Sequence, residues 1–275
     1  MPDLCEVDIV RIVVHSSFHT HTRLCKHASG EPADYIREAV AGGASFLGIS
    51  DHCPYPDDSV WPGSRMAVSS VPEYLGLLEK AKAASPIPVR WGFECEWHPA
   101  FGSWYRDVLK GEYGAEYLVY GSHWVPDGGE FYYIPDVTDE PLLKRYVALT
   151  LEALSTGLYD CFAHPDLFLA GFTRMTSEVK AACRDIIDAA IAAKIPMEVN
   201  GLGLLRPQIQ GDNGMRSPYP VREFWEMAAD AGAVIICNSD AHQPEEAIEG
   251  ARRAERFALD IGITPVEAST ALGFA

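Results

Sequence analysis

Three histidines lie close together near the start of the chain, in the stretch SSFHTHTRLCKHASG at residues 16–30. His19 and His21 are two residues apart, and His27 follows six residues later. Side chains two apart on a strand point to the same side, so two imidazoles with this spacing can bind one metal ion. The same spacing recurs at Asp240 and His242 near the C-terminus. Both pairs indicate a site for a divalent cation.

Ligand-type side chains also follow the other apolar segments of the chain. These side chains are Asp51 and His52, Glu94 and Glu96, His123, His164 and Asp166, and Glu198 and Asn200. One histidine in such a position is more often a structural hydrogen-bonding residue than a ligand. Seven of the nine histidines fall in this pattern, however, and chance rarely produces such a concentration. The pattern as a whole therefore predicts one shared site.

The predicted ligands of this site are seven histidines and two acids. They are His19, His21, His27, His52, Glu94, His123, His164, Asp240 and His242. One ion takes about four to six ligands, so we predict two or three ions, with a carboxylate bridging at least one pair. Imidazole and carboxylate without a Cys-x-x-Cys pattern suit Zn, Mn or Fe in a hydrolytic site. Glu96, on the same side of its strand as Glu94, could either ligate or support a histidine through a hydrogen bond, whereas Glu198 and Asn200 are predicted to support the ligands.

The segments that must position these residues alternate between strand-like and helix-like patterns. Strands are predicted within 7–18 and over 45–50, 87–94, 116–122, 159–163, 195–200 and 232–239. Helices are predicted over 31–43, 72–85, 138–157, 176–194, 219–232 and 244–262. This alternation predicts one α/β domain over residues 1–275, built on a parallel sheet. A closed barrel is favoured over an open sheet, because no Gly-rich phosphate loop follows the first strand and reactive residues follow almost every strand.

Composition narrows the range of partners and compartments. The 275 residues include 22 Lys and Arg against 39 Asp and Glu, and the formal charge of −17 disfavours stable binding to nucleic acid. The seven cysteines are odd in number and scattered, as is typical of a reducing cytosol. We find no signal peptide and no apolar stretch of about 18 residues, so a cytoplasmic protein without a membrane span is expected.

Seven sequence blocks carry a resemblance to a known family. They are HTHTRLCKHASGE, ISDHC, GFE, GSHW, AHPDL, EVNGLGLLRP and NSDAHQPEE, and they occur in family-like order from about residue 16 to the C-terminus. On these blocks the sequence resembles the polymerase and histidinol phosphatase (PHP) family, in its histidinol-phosphatase branch. The resemblance implies a distorted (β/α)7 TIM-like barrel with a trinuclear metal site.

Residue roles follow from the same resemblance. It implies that His19, His21, Glu94 and Asp240 bind one ion, that His27, His52 and either His242 or a shared carboxylate serve the others, and that His123 and His164 belong to the third. The family branch has an arginine for phosphate after its EVN strand. Here that stretch reads GLGLLRPQIQGDNGMRSPYP, so either Arg206 or Arg216 is the candidate phosphate-binding residue.

The resulting hypothesis is a metal-dependent phosphomonoesterase, with L-histidinol phosphate as the leading substrate by resemblance. A water shared by two ions would lose its proton and attack phosphorus in line. Asp240 and His242 are predicted to be catalytic as well as ligating, since the leaving alkoxide needs a proton or a metal contact.

Four alternatives stay open at this point. The chain could be a PHP phosphoesterase for another small phosphate ester or for nucleotides, or a PHP-like nuclease, which would need a basic track that the charge balance does not indicate. It could be an amidohydrolase, although the segment EYLVYGSHW lacks the lysine that those barrels carry. The last alternative is a metal-binding module without catalysis. Trp124, Tyr219 and Tyr35 lie near the motifs, but aromatic residues are more often core, so we predict no role for them.

Overall fold

The computed structural model describes residues 14–61 and 63–275. Within this part of the chain the strands are β1 (Ser16–Ser17), β2 (Phe46–Ile49), β3 (Val89–Cys95), β4 (Tyr117–Gly121), β5 (Trp124–Asp127), β6 (Glu130–Tyr133), β7 (Cys161–Ala163), β8 (Met197–Asn200), β9 (Ile209–Gly211), β10 (Gly214–Arg216) and β11 (Ile235–Asn238). Seven of them form one parallel sheet in the order β1-β2-β3-β4-β7-β8-β11, which is also their order along the chain. The other four form the antiparallel hairpins β5–β6 and β9–β10.

The two ends of this sheet meet and close it into a barrel. Thr20, just after β1, pairs with Ala241, just after β11. The His21 amide donates to the Ala241 carbonyl at 2.8 Å, and the Phe18 amide donates to Asn238 Oδ1 at 2.8 Å. The seven predicted strands and the predicted closure are therefore confirmed, except that the first part of the segment predicted within 7–18 lies outside the described residues.

Helices cover the outside of the barrel. The α-helices are α1 (Pro32–Ala41), α2 (Val71–Ala84), α3 (Glu140–Ser155), α4 (Ser177–Ala193), α5 (Arg222–Asp230), α6 (Glu246–Asp260) and α7 (Ala268–Ala271). The first six fall inside or next to the predicted helical segments, while α7 and a π-helix at Trp104–Glu112 were not predicted. Side chains fix two helix starts: Asp139 accepts from the Leu142 amide before α3, and Thr176 accepts from the Val179 amide before α4. Among the described helices, none combines the length and the apolar character that crossing a bilayer requires.

Aromatic side chains seal the barrel at the amino ends of its strands, which we call the lower end. Phe18, Phe46 and Tyr117 pack together inside the barrel. The ring of Phe274, from the segment after α7, stacks on Phe18 at 5.4 Å and lies 6.2 Å from Phe46 and 6.0 Å from Tyr117. The opposite end, where the strands have their carboxyl ends, holds a cavity; we call it the upper end.

Candidate metal centre at the upper end

All nine predicted ligands converge at the upper end of the barrel. Their donor atoms form sets that lie within 4.8 Å of one another: His19 with His21 and Asp240, His19 with Glu94 and His164, and His21 with His52 and His242. Parallel strands direct their carboxyl ends to one face of a barrel, so residues far apart in the sequence meet here. The convergence that the sequence predicts is therefore present in the structure.

The first set matches the ligands that the resemblance gives to one ion. His19 Nε2 lies 3.4 Å from both Glu94 Oε2 and Asp240 Oδ1. His21 Nε2 lies 3.5 Å from Glu94 Oε2 and 3.1 Å from Asp240 Oδ1. Two imidazoles and two carboxylates thus face one point, as the His-x-His spacing predicts.

Glu94 also faces histidines on two other sides. Its Oε2 lies 2.9 Å from His52 Nδ1, and its Oε1 lies 3.1 Å from His164 Nε2 and 3.7 Å from His123 Nε2. The rings of His123 and His164 are 4.7 Å apart. Glu94 therefore lies between histidines that the resemblance assigns to different ions, and which carboxylate bridges two ions stays a prediction.

His27 joins the centre from the loop after β1. Its ring lies 4.7 Å from that of His242 and 5.3 Å from that of His52. Cys25 Sγ lies within 4.8 Å of ring nitrogens of both His27 and His242. Burial raises the pKa of Cys25 to about 12, which favours the neutral thiol when no metal is bound.

Several buried nitrogen atoms of the centre have no hydrogen-bond partner. They include His19 Nε2 and both ring nitrogens of His21. Buried polar atoms are nearly always satisfied in proteins, because leaving one unsatisfied costs about 1–3 kcal/mol. The two Nε2 atoms face Glu94 and Asp240, and this set of nitrogen and oxygen donors is what Zn, Mn or Fe binds. The residues therefore fit a group of divalent ions.

The acids and histidines of the centre shift one another's pKa values. Although burial disfavours their ionised forms, the histidines, His19 foremost, hold the pKa values of Glu94 and Asp240 well below their ordinary range. Burial opposes a charge on His21 too, but the nearby carboxylates of Asp240, at 3.1 Å, and Asp51, at 3.8 Å, raise its pKa to about 9. Without a metal, His21 therefore carries a proton between two carboxylates, and an ion has to displace that proton to bind.

Hydrogen bonds outside the ligand set orient two of the histidines. His19 Nδ1 donates to Glu198 Oε2 at 2.9 Å, and Asn200 donates to Glu198 Oε1 at 2.7 Å. His123 Nδ1 donates to Glu96 Oε1 at 2.7 Å. A carboxylate on one ring nitrogen directs the other towards the metal. The structure thus contains hydrogen bonds of the kind predicted for Glu96, Glu198 and Asn200, and their role in supporting a metal stays a prediction.

The backbone is shaped around the same ligands. Asp240 and His164 adopt φ values of 52° and 33°, in the left-handed region that side chains other than glycine rarely occupy. Such a residue costs about 1–3 kcal/mol, and it persists where surrounding structure holds it in place. A Cβ on Gly121 would lie 2.0 Å from Glu94 Oε1. Residue 121 therefore has to be glycine for the carboxylate to reach the centre.

A cavity of about 270 Å³ lies over the centre. Its walls are formed by His27, His52, Gly63, Ser64, Arg65, His123, Trp124, Tyr133, Leu167, Leu202, Arg206, Tyr219, Asp240 and His242. Of the two arginines predicted for phosphate, Arg206 is in this wall and Arg216 is not. Arg216 lies in β10, and its guanidinium donates to the carbonyls of Ser217, Pro218 and Leu169 at 2.8–3.0 Å. These bonds tie both terminal nitrogens of Arg216 to backbone carbonyls outside the cavity wall.

Sequence reasoning did not find Arg65 or the part played by the hairpin β5–β6. The hairpin brings Trp124 and Tyr133, whose rings are 5.1 Å apart, to the cavity wall. The turn sequence PDGGE, which lies between aromatic and branched residues, is the pattern that could have predicted this hairpin. Arg65 follows no strand and belongs to no motif, so its sequence position carried no signal.

The family model of the PHP domain matches residues 17–201. The chain belongs to the PHP family. A relative of this PHP protein in Deinococcus radiodurans, named "Probable histidinol-phosphatase", is 30% identical over 237 residues, which are 83% of this chain and 86% of the relative. The predicted family is thus confirmed, and the match reaches from the first ligands through the strand that carries Glu198.

Solved structures agree with the barrel. The histidinol phosphate phosphatase of Lactococcus lactis, crystallised with Zn, L-histidinol and phosphate, aligns with a TM-score of 0.68 and 16% identity over 92% of this chain and 95% of that chain. A crystal structure from Listeria monocytogenes aligns with a TM-score of 0.64 and 19% identity over 84% of this chain and 96% of that chain. At these identities the likeness establishes the fold, and the predicted TIM-like barrel of this PHP protein is confirmed.

Proposed function

We propose that the chain is a metal-dependent phosphomonoesterase that hydrolyses L-histidinol phosphate to L-histidinol and phosphate. The observation that carries this proposal is the convergence of nine nitrogen and oxygen ligands beneath a cavity that Arg206 lines. The Deinococcus radiodurans relative is named for this activity, and the Lactococcus lactis crystal structure contains both of its products, so both support the proposed substrate.

The nine residues would hold two to three divalent ions, of Zn, Mn or Fe. Such ions supply Lewis acidity when bound, which neutralises phosphate charge and makes hydroxide available near neutral pH. His19, His21, Glu94 and Asp240 would hold the deepest of them, since all four are buried. The number of ions and a hydroxide shared by two of them stay predictions.

The protein's own part of the reaction is to hold the phosphate and to manage one proton. Arg206 in the cavity wall is proposed to bind the phosphoryl oxygens. Water oxygen bonds to phosphorus while the bond to the alcohol oxygen breaks, and the departing alkoxide takes a proton. Asp240 and His242 are the proposed proton-handling residues: Asp240 Oδ2 accepts from Asn200 at 3.0 Å, and the His242 side chain is 18% exposed in the wall.

A steady-state panel on the metal-loaded protein tests the proposal. L-histidinol phosphate is compared with nucleotides, sugar phosphates and 4-nitrophenyl phosphate. We expect the highest kcat/KM for L-histidinol phosphate. Preference for another member by about a hundredfold, or ~2.7 kcal/mol in transition-state binding, would replace the substrate and keep the chemistry. A protein that carries its ions and hydrolyses no phosphoester would instead be a metal-binding module.

We also propose a small-molecule substrate rather than nucleic acid, and a cytoplasmic location. The formal charge of −17 supports the first, because it repels polyanions. The six cysteines within the described residues are all unpaired and buried, which supports a reducing compartment. Cys5 lies outside the described residues.

A further inference from the structure

Arg65 is a buried cation beside the metal centre that uses little of its hydrogen-bonding capacity. Its side chain is 3% exposed. Its Nε has no partner, its Nη1 donates to the Cys53 carbonyl at 3.4 Å, and its Nη2 lies 3.9 Å from Glu96 Oε1. A guanidinium carries five N–H donors, and burying them without acceptors is unfavourable. The side chain therefore faces Glu96 at the limit of ion-pair distance and keeps N–H donors for a further anion.

Aromatic rings hold this guanidinium in place. It lies 5.0 Å from the ring centre of Tyr55 and 4.8 Å from that of Trp61. Cation–π contacts of this kind engage the face of the guanidinium and leave its N–H edges available. The two rings fix the position of the charge without neutralising it, which is how a binding arginine is prepared for an incoming anion.

Arg65 belongs to the wall of the metal-centre cavity. Arg65 lines that cavity together with His52 and His123, whereas Arg206 lines it beside Tyr219. The acid in the same wall is Asp240, which already faces His19 and His21. An anion in the cavity would thus meet two arginines from two different loops, above a floor of metal ligands. A planar guanidinium fork matches the oxygen spacing of a phosphate group.

We infer that Arg65 binds the phosphoryl group of the substrate, together with Arg206. This inference rests on the proposed phosphatase function and adds a residue that the sequence motifs do not contain. Because the phosphoryl oxygens are anionic in substrate, transition state and product, Arg65 should contribute to binding of the free phosphate product as well as to turnover.

A purely structural role makes a different prediction. Arg65 could serve only to hold Glu96, which in turn orients His123. Loss of Arg65 would then act like Glu96→Gln: it would lower the metal content and leave the affinity of the loaded protein for phosphate unchanged. Metal content and phosphate affinity therefore separate the two roles.

The experiment measures the dissociation constant of inorganic phosphate by calorimetry on the metal-loaded full chain, beside metal content, melting temperature and kcat/KM. The variants are Arg65→Met, Arg65→Lys and Arg206→Met. Arg256→Met is the matched control, because Arg256 is 57% exposed and pairs with Glu249 away from the cavity. This control removes one cation from the acidic chain without touching the centre.

We expect Arg65→Met to weaken phosphate binding by about tenfold or more and to lower kcat/KM by about a hundredfold, with metal content unchanged. Arg65→Lys should lie between wild type and Arg65→Met, and it keeps the test valid if the methionine variant fails to fold. Wild-type phosphate affinity in a loaded Arg65→Lys protein, or loss of metal as in Glu96→Gln, would overturn the inference. Arginine-dependent phosphate binding without hydrolysis of any phosphomonoester would overturn the proposed function and leave the phosphate site in place.

Discussion

The two ends of the barrel bury opposite kinds of side chain. The lower end packs the rings of Phe18, Phe46, Tyr117 and Phe274 against one another. The upper end buries charged groups such as Glu94 and Asp240 almost completely. Burying apolar area is favourable by about 25 cal/mol per Å², whereas burying charge is unfavourable unless it is paired. The lower end therefore stabilises the fold, whereas the buried carboxylates and imidazoles of the upper end are suited to binding cations.

The largest effect on the upper end is expected from Asp240→Ala. This change removes the carboxylate that faces both His19 and His21. We expect loss of bound metal and a fall in kcat/KM of about a thousandfold or more, equivalent to ~4 kcal/mol. Elemental analysis and steady-state kinetics measure the two, and circular dichroism checks the fold. A folded variant with full activity would contradict the assignment.

Gly121→Ala tests the space that the backbone leaves for Glu94. The added methyl group would lie 2.0 Å from Glu94 Oε1, so the carboxylate must move. We expect metal affinity and kcat/KM to fall by about a hundredfold, because this carboxylate faces ligands on several sides. Gly76→Ala is the control: no atom lies within 4 Å of its added Cβ in α2, and it should leave activity unchanged. Equal behaviour of the two variants would refute the role given to Gly121.

Glu198→Gln tests the hydrogen bond that orients His19, and it leaves every predicted metal ligand in place. The His19 Nδ1–H would then face a neutral amide in place of a carboxylate. Changes of this kind lower metal affinity by about 10–100-fold, and we expect a value in that range from competition with a chromogenic chelator. Unchanged affinity would show that the hydrogen bond does not tune His19.

The smallest effect on activity is expected from Phe274→Ala, at the lower end. Removing a half-buried ring that stacks on Phe18 should lower the free energy of unfolding by roughly 2 kcal/mol. Denaturant unfolding measures this loss. The kcat/KM of the folded fraction should stay within about twofold of wild type, since Phe274 and the metal centre lie at opposite ends of the barrel. A large loss of kcat/KM with unchanged stability would contradict the claim that the lower end stabilises the fold without contributing to activity.

The sequence predicts the barrel and the convergence of the candidate ligands well, for one physical reason. Buried parallel strands are short apolar runs, and the polar residue that follows each run marks the upper end, as with Glu94 and His164. The hairpin β5–β6 escaped prediction because its strands are short and β6 is exposed. The placements of Arg65 and Arg216 depend on the paths of loops, and no periodic pattern encodes those paths. Sequence alone therefore left the phosphate-binding residues undecided.

The most direct test of the account is anomalous diffraction from crystals of the zinc-loaded protein, recorded at the zinc edge with inorganic phosphate present. The account predicts two or three anomalous peaks at the upper end, the first among His19, His21, Glu94 and Asp240, with phosphate density above them. Zinc peaks confined to other parts of the molecule, with these four side chains bound only to one another, would contradict it.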